Sequence, residues 1–304
     1  MEKEKDTWSY VNIWYLLIPL IFIALFFVFP LFKMVYMSFF QFTGVNQPLG
    51  SFTLENYTRF LSNADYWVIL GKTLGLSFLS GILCTVLGYP VAYHLSRMQG
   101  RTKSLFTVLV LLPLWVPITV RLFGLMTLIE RGTYFAVEAG LVYCGLPYMI
   151  IVLMGPIGNI DRSVEEASYV CGAGFWSTFF RVTLPLTRKG LISGFMLVFA
   201  LNTAAFVVPV MLGAGKIITM TTLLYQQATY IYDWGFASAI SMIFLVITML
   251  LTNSGDYFEN LMQKRRDRKG VLNEMDKSYR RCFSQPCLLP SVSAAGCRHL
   301  HRIQ

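Results

Sequence analysis

The sequence predicts an all-α, polytopic membrane protein with six transmembrane helices and both termini in the cytoplasm. The first observation is composition: 55% of the 304 residues are hydrophobic and only 13% are charged. Since a soluble domain has about 25% charged residues, the low charge favours a chain embedded in lipid. The second observation is a series of long apolar stretches, and the third is the uneven placement of lysine and arginine between them.

Six apolar stretches predict the spans, because about 20 apolar residues in a helix cross about 30 Å of hydrocarbon. They cover residues 13–32, 70–95, 105–129, 135–154, 190–212 and 236–251. The first is interpreted as an uncleaved anchor rather than a signal peptide, because the run is long and no small-x-small cleavage site follows it. Prolines inside the spans are tolerated where neighbouring helices satisfy the freed backbone groups.

These stretches divide the chain into three parts. Residues 1–68 form an anchor helix and an outer loop, and the loop at 38–67 is long enough to carry a short amphipathic element. Residues 69–260 form the transmembrane domain. Residues 261–304 form a basic tail that is predicted to be cytoplasmic and disordered. Its cysteines and histidines do not have the Cys-x-x-Cys spacing of a zinc site, so no metal site is predicted.

The distribution of basic residues predicts the orientation, since cytoplasmic loops carry an excess of lysine and arginine. With the N-terminus inside, the inner loops hold many more basic residues than the outer loops. The inner residues are Arg97, Arg101, Lys103, Arg162, Arg181, Arg188 and Lys189, and the outer ones are Arg59, Arg131 and Lys216. The same loops account for the net charge of +9 without nucleic acid as a partner.

The polar interval at 161–190 is the longest charged segment between two apolar stretches in the middle of the chain. It opens on Ser163-Val164-Glu165-Glu166, which has the spacing of a Ser-x-x-Glu capping box. Gly172 and Gly174 interrupt the predicted helix, and Pro185 is expected to stop a second short helix. This helix–bend–helix is either an interfacial connector whose aromatic residues lie among lipid headgroups or a docking element for a soluble partner.

A resemblance to a known family favours the docking element. Glu166-Ala167-Ser168, three residues, Gly172, nine residues and then Val182-Thr183-Leu184-Pro185 resembles the EAA loop of bacterial ABC importer permeases. Ser168 replaces the second alanine of the family pattern, and Val182 replaces its isoleucine. The resemblance extends over roughly 70–258, the type I importer transmembrane domain. The segments at 140–149 and 206–213 look most like the spermidine/putrescine branch.

The resemblance implies a non-catalytic permease subunit of the bacterial inner membrane. Its loop would be a coupling helix that sits on a cytoplasmic ATPase dimer, which would bind and hydrolyse ATP. The other implied partners are a second homologous permease, an extracytoplasmic substrate-binding protein and membrane lipid, with no cofactor of its own. The coupling residues it implies are Ser163, Glu165, Glu166, Ala167, Ser168, Gly172, Val182, Leu184 and Pro185.

Five further residues are candidates for the substrate path: Arg121, Glu138, Asn202, Asp233 and Trp234. Arg121 lies inside a predicted span, where it either snorkels towards the outer interface or lines a cavity or an inter-subunit contact. Asn202 is either inter-helix glue or a pathway contact. Carboxylates and aromatic rings would suit a polyamine cation, and the alternative for Glu138 and Asp233 is that they are solvated loop charges.

Two other classes of protein are weighed against the importer permease. An ion-coupled secondary carrier would need ionisable residues at the membrane midplane, and the chain offers few. A membrane-bound enzyme would need a cluster of His, Asp or Glu on one membrane side. No Gly-x-x-x-x-Gly-Lys-Ser/Thr phosphate loop is present in the sequence, so ATP is expected to be bound by another subunit. Within the importer class, the cargo is predicted to be a polyamine, with an amino-acid-like solute, iron or an anion as alternatives.

Overall fold

A computed structural model of the chain describes residues 15, 17–41, 43–44 and 50–255. The predicted tail at 261–304 lies outside the described residues. Apart from one isolated bridge between Phe40 and Phe52, the regular structure of the described part is helical, which confirms the all-α class. The helices are α1 Leu17–Ser38, α2 Glu55–Ser62, α3 Ala64–Arg97, α4 Gly100–Trp115, α5 Ile118–Met126, α6 Tyr134–Gly158, α7 Arg162–Val170, α8 Phe175–Thr203, α9 Val207–Gly213, α10 Met220–Gln226 and α11 Trp234–Gly255.

Five helices within the described residues are long and apolar enough to cross a membrane: α1, α3, α6, α8 and α11. The pair α4 and α5 is a sixth candidate if it is one span. The chain is thus a multi-pass membrane protein, with five or six candidate spans among its described residues. The orientation with both termini in the cytoplasm stays a prediction.

The continuous third span predicted at 105–129 is wrong. The axes of α4 and α5 differ by 91°, and the break lies at Val116 and Pro117, both with extended ψ values of 130° and 137°. Proline has no N–H to continue the helix, and it disfavours the α conformation of the residue before it. The local sequence Val116-Pro117 therefore turns one apolar stretch into two helices.

The fifth span also has different bounds from those predicted at 190–212. Helix α8 begins at Phe175 and passes through Pro185 without ending, so Pro185 is not a stop. A π-helical turn at Phe179–Thr183 precedes it, and Pro185 then occupies the first turn of the following α-helical part. Proline is tolerated there, because its missing N–H falls where the hydrogen-bond register changes. The second half of the loop, from Phe175 onwards, and the span are thus one continuous helix.

The centre of the bundle is formed where α3, α6 and α8 pack together. Its buried side chains include Cys84, Met149 and Val198, and α3 and α8 are joined by a hydrogen bond from Asn202 Nδ2 to Ser80 Oγ at 2.7 Å. Small residues allow such close contact between membrane helices. This packing fixes the position of the end of α3 relative to the start of α8.

The opposite end of the bundle carries α2, the short element expected in the loop at 38–67. Arg59 on α2 pairs with Asp233 at 3.1 Å and lies 4.0 Å over the ring of Phe236. Asp233 also accepts a hydrogen bond from the Phe236 N–H at 2.9 Å. A residue whose side-chain oxygen accepts a hydrogen bond from the backbone N–H three residues later is a helix N-cap. Asp233 therefore caps α11, and its ion pair with Arg59 ties α2 to the beginning of that helix.

Candidate functional site

The segment between α6 and α8 begins with a capped helix. Asp161 is the N-cap of α7, and its Oδ1 accepts a hydrogen bond from the Ser163 N–H at 3.0 Å. Hydrogen bonds from Ser163 lower the pKa of the Asp161 carboxyl below its ordinary value. The predicted capping box is wrong: Ser163 is the second residue of the helix, so the carboxylate one position before Arg162 caps it instead.

Glu165 points into the protein from the first turn of α7, and only 7% of the residue is exposed. Its carboxylate pairs with Arg97 Nη2 at 2.8 Å. It also accepts hydrogen bonds from the Thr183 hydroxyl at 3.0 Å and from the Tyr93 hydroxyl at 3.3 Å. Arg97 ends α3 and Thr183 lies in α8. We call these four residues, Tyr93, Arg97, Glu165 and Thr183, the Arg97 cluster.

Arg97 makes further contacts around the same carboxylate. Its Nη1 donates to the carbonyl of Ile160 at 2.9 Å, and its own carbonyl accepts from the Arg162 guanidinium. The guanidinium also lies 5.6 Å from the centre of the Tyr93 ring. The residues just before and within α7 are therefore held to the last turn of α3.

A sharp bend separates α7 from α8 at Gly172, which has φ +83°. The Gly172 N–H donates to the Tyr169 carbonyl at 2.9 Å, and the Ala173 N–H donates to the Ser168 carbonyl at 3.1 Å. This pair of bonds is the Schellman motif, which favours glycine at the left-handed position. A Cβ at Gly172 would meet nothing within 4 Å, so the residue supplies a backbone conformation and not close approach.

The other coupling residues predicted from the sequence divide into two groups. Ser163, Glu166, Ala167 and Gly172 are exposed, whereas Ser168, Val182, Leu184 and Pro185 are half-buried. Leu184 packs against the central core, and the Ser168 hydroxyl lies 3.0 Å from that of Thr178 in α8. One side of the segment is therefore anchored to the bundle. The other presents exposed apolar side chains, namely Val164, Tyr169, Val170, Phe175, Trp176 and Phe180.

Sequence reasoning missed Tyr93 and Thr183, and it counted Arg97 only as a loop charge. Thr183 occupies the variable position of the Val-x-Leu-Pro pattern, so the motif gives no signal for it. Tyr93 and Arg97 are 72 and 68 residues away from Glu165 along the chain. One signal in the sequence could have indicated this ion pair. Arg97 ends a predicted span, and Glu165 lies at the start of a predicted loop helix.

Among the described residues, no hydrogen bond or ion pair joins any two of the five candidates for the substrate path. Glu138 lies in the second turn of α6, is 8% exposed, and has no hydrogen-bond partner on either carboxylate oxygen among the described residues. The interpretation of Glu138 and Asp233 as solvated charges is wrong, since both are buried. Asn202 makes the inter-helix hydrogen bond described above, and Trp234 is 53% exposed.

Arg121 lies on α5, and its guanidinium is 5.9 Å from the centre of the Tyr143 ring on α6. Its Nε and Nη1 are buried and have no hydrogen-bond partner among the described residues. No ion pair joins Arg121 to Glu138 in the part of the chain that the structure describes. Both side chains thus carry polar atoms whose partners are not supplied by the described fold.

The fold and this segment define a class: a multi-pass helical subunit that carries a bent helical connector anchored to its bundle on one face and exposed on the other. Residues 84–265 match the model of the family described as "Binding-protein-dependent transport system inner membrane component". This match covers more than half of the chain. The chain therefore belongs to that family, and it is an inner-membrane permease component of an ABC importer.

Curated relatives agree with this assignment. The chain is 32% identical over 235 residues to the spermidine/putrescine transport system permease protein PotB of Haemophilus influenzae, covering 70% of this chain and 82% of that protein. It is 30% identical over 221 residues to PotB of Escherichia coli K12, covering 66% and 80%. The ferric transport system permease FbpB of Actinobacillus pleuropneumoniae is 26% identical, over 66% of this chain and 32% of that protein.

Solved structures share the fold at low sequence identity. A bacterial ABC transporter involved in the import of the acidic polysaccharide alginate matches with a TM-score of 0.68 and 16% identity, covering 85% of this chain and 98% of that chain. The MetNI methionine ABC transporter, in an inward-facing conformation, matches with a TM-score of 0.53 and 18% identity, covering 64% and 96%.

Proposed function

We propose that the chain is the permease subunit of an ATP-driven polyamine importer, with spermidine and putrescine as the cargo class. The observation that supports this cargo most directly is the 30–32% identity to two permeases named for spermidine and putrescine. In this proposal the chain forms the path with a second, homologous permease and receives cargo from an extracytoplasmic binding protein. It has no catalytic residues, and a cytoplasmic ATPase dimer supplies the energy.

The segment from Asp161 to Thr183 is proposed as the part that the ATPase moves. Its exposed face is apolar and aromatic, with Val170 88% and Trp176 68% exposed, and aromatic residues are enriched in protein interfaces. Its opposite face is held to α3 and α8 by the Arg97 cluster. An element that is free on one face and anchored on the other can transmit a displacement into the bundle. The predicted cytoplasmic location of this segment is part of the proposal.

The test is uptake of radiolabelled spermidine into proteoliposomes that hold the whole transporter, with its ATPase facing the lumen and its binding protein outside. The variant is Gly172→Asp. An Asp side chain is strained at φ +83°, and its carboxylate would face the negative end of the α7 dipole. Uptake is expected to be abolished while the subunit stays in the membrane. Equal uptake by the variant would overturn the coupling assignment, and ATP-independent uptake driven by an ion gradient would overturn the importer.

Gly174→Asp is the matched control, two residues further on. Gly174 is the N-cap of the helix that starts at Phe175, with φ −75°, and a Cβ there would meet nothing within 4 Å. Asp is among the preferred N-cap residues. The same charge is therefore added to the same bend at a position where the backbone accepts it, and uptake is expected to persist.

Glu138 is the path candidate that the geometry favours most for a cationic cargo. Its two carboxylate oxygens lack partners in the described residues, whereas the Asp233 carboxylate is engaged by Arg59 and the Phe236 N–H. An ammonium group would form charge-assisted hydrogen bonds with such a carboxylate. Arg121 would repel the same cation, so we propose that it faces the second permease instead.

The alternative cargo within this class is iron, which the relationship to the ferric permease raises. Competition separates the two: unlabelled putrescine is expected to reduce uptake of labelled spermidine, while ferric iron and amino acids are not. Competition by iron or by an amino acid, with none by putrescine, would replace the polyamine as cargo and leave the permease assignment intact.

A further inference from the structure

None of the four residues of the Arg97 cluster occupies a fixed position of the sequence pattern that marks the loop. The first position of that pattern is Glu166, which is exposed, while the inward-facing carboxylate belongs to the preceding residue, Glu165. Neighbouring residues on a helix point about 100° apart. Glu166 is thus presented to a partner, and Glu165 is presented to the bundle. The two adjacent carboxylates have different surroundings and call for different roles.

The cluster joins three separate helices through one carboxylate. Arg97 is the last residue of α3, Glu165 lies in α7, and Thr183 ends the π-helical turn in α8. Oε1 of Glu165 receives both the Arg97 guanidinium at 2.8 Å and the Thr183 hydroxyl at 3.0 Å. The side chains of Arg97 and Glu165 are only 16% and 10% exposed. A nearly dry ion pair of this kind is strongly destabilised when one partner is lost.

The π-helical turn brings the third member of the cluster into place. A π-turn widens the helix by one residue, and such turns are frequent at functional sites. In α8 the turn covers Phe179–Thr183 and leaves Thr183 only 1% exposed, facing α7. The widened turn therefore places the Thr183 hydroxyl within hydrogen-bond distance of Glu165, where the loop continues into the span.

We infer that Arg97 and Glu165 are positioning residues that lock α7 to the end of α3, so that a displacement of α7 moves α3 and α8 with it. This inference rests on the proposed function, because it takes the ATPase as the source of the displacement. Without the lock, α7 would follow the ATPase while the bundle stayed behind. ATP would then be hydrolysed with little substrate carried, although the subunit still assembled and bound its partner.

The test measures substrate imported per ATP hydrolysed, in proteoliposomes that hold the whole transporter and its binding protein. Arg97→Glu and Glu165→Arg are each expected to lower this ratio by about tenfold, within the range of coupling free energies between two sites. The double variant, which restores the pair with its charges exchanged, is expected to recover most of the ratio. Arg101→Glu is the matched control, since Arg101 is exposed on the same side of the bundle, and its ratio is expected to be unchanged.

Loss of folding is separated from loss of coupling by a second set of variants. Glu165→Gln keeps the shape and removes the charge, and Thr183→Val keeps the shape and removes the hydroxyl. Assembly is measured by co-purification of the ATPase. If Glu165→Gln assembles and keeps the wild-type ratio, the inference is wrong. It is also wrong if the double charge exchange assembles and stays as uncoupled as the single variants.

The two levels of the proposal fail in different ways. If the wild-type transporter carries substrate without ATP, the proposed function fails. If the wild-type transporter is driven by ATP and the Arg97 and Glu165 variants keep its ratio, only the lock fails.

Discussion

Glu165 and Glu138 are two carboxylates with nearly the same burial and opposite surroundings. They are 7% and 8% exposed. Glu165 has an arginine, a threonine and a tyrosine around it, whereas neither oxygen of Glu138 has a partner among the described residues. Burying a charge is costly unless it is paired and hydrogen-bonded. Within the described residues, the Glu165 carboxylate is therefore paired, whereas the Glu138 carboxylate can take up a proton or bind a cation or a group of another subunit.

The largest effect is expected from breaking the satisfied member of this comparison. Glu165→Ala leaves the Arg97 guanidinium with little exposure and without its carboxylate, and loss of one partner of a buried pair costs about 3–5 kcal/mol. Thermal unfolding of the purified subunit in detergent should show a large drop in midpoint. A midpoint within one or two degrees of wild type would mean that the pair is well solvated.

The unsatisfied member should respond in the opposite way. Glu138→Gln removes a charge that has no partner in the described residues, so the midpoint of thermal unfolding should stay constant or rise. If the carboxylate binds a cationic cargo, the KM for spermidine should rise, because the ion pair is lost. A lower midpoint together with an unchanged KM would show that Glu138 is paired structurally, in conflict with the proposed path.

A neutral polar pair between spans provides an intermediate case. Asn202→Ala removes the hydrogen bond to Ser80, and such bonds in membrane helices contribute about 0.6 kcal/mol, with a maximum of about 1.7 kcal/mol. A small drop in the unfolding midpoint is expected, with uptake retained. Strongly reduced uptake at an unchanged midpoint would instead assign Asn202 to the substrate path.

The smallest effect is expected at Asp161, which caps α7 in full contact with water. Asp161→Ala should speed hydrogen exchange of the Ser163 and Val164 amides, and Asp161→Asn should not, because both Asp and Asn are good caps. Since folding lowers the pKa of this carboxyl, its contribution is present above the ordinary Asp pKa and is lost as the pH falls through the lowered pKa. Exchange rates that are equal in all three proteins would exclude a capping role.

Local sequence predicted the helical elements more reliably than their ends. The apolar stretches predicted the class and the approximate position of most spans. The break at Val116-Pro117 could have been read from proline chemistry, but the length of the apolar run concealed it. The opposite error was made at Pro185, which was predicted to stop a helix and does not. A π-helical turn before it changes the hydrogen-bond register, and no single residue of the sequence indicates such a turn.

The candidate site shows the same division. The position of the loop and the bend at Gly172 follow from residues adjacent in sequence, since a Schellman motif involves only one turn of helix. The N-cap was misplaced by two residues, because Asp161 and Ser163 both have cap chemistry and only the backbone decides between them. The contacts of Glu165 could not be predicted, because its partners lie on two other helices, α3 and α8, that are distant in sequence.

The sequence by itself determined that this is a helical membrane protein, and it located the polar loop whose spacing identifies the family. These properties depend on composition and on neighbours a few residues apart, which the chain carries before it folds. Only the tertiary structure decided which of two equally buried carboxylates is satisfied. That outcome depends on the packing of α3, α6, α7 and α8, which brings Arg97 to within 2.8 Å of Glu165, whereas no such group among the described residues reaches Glu138.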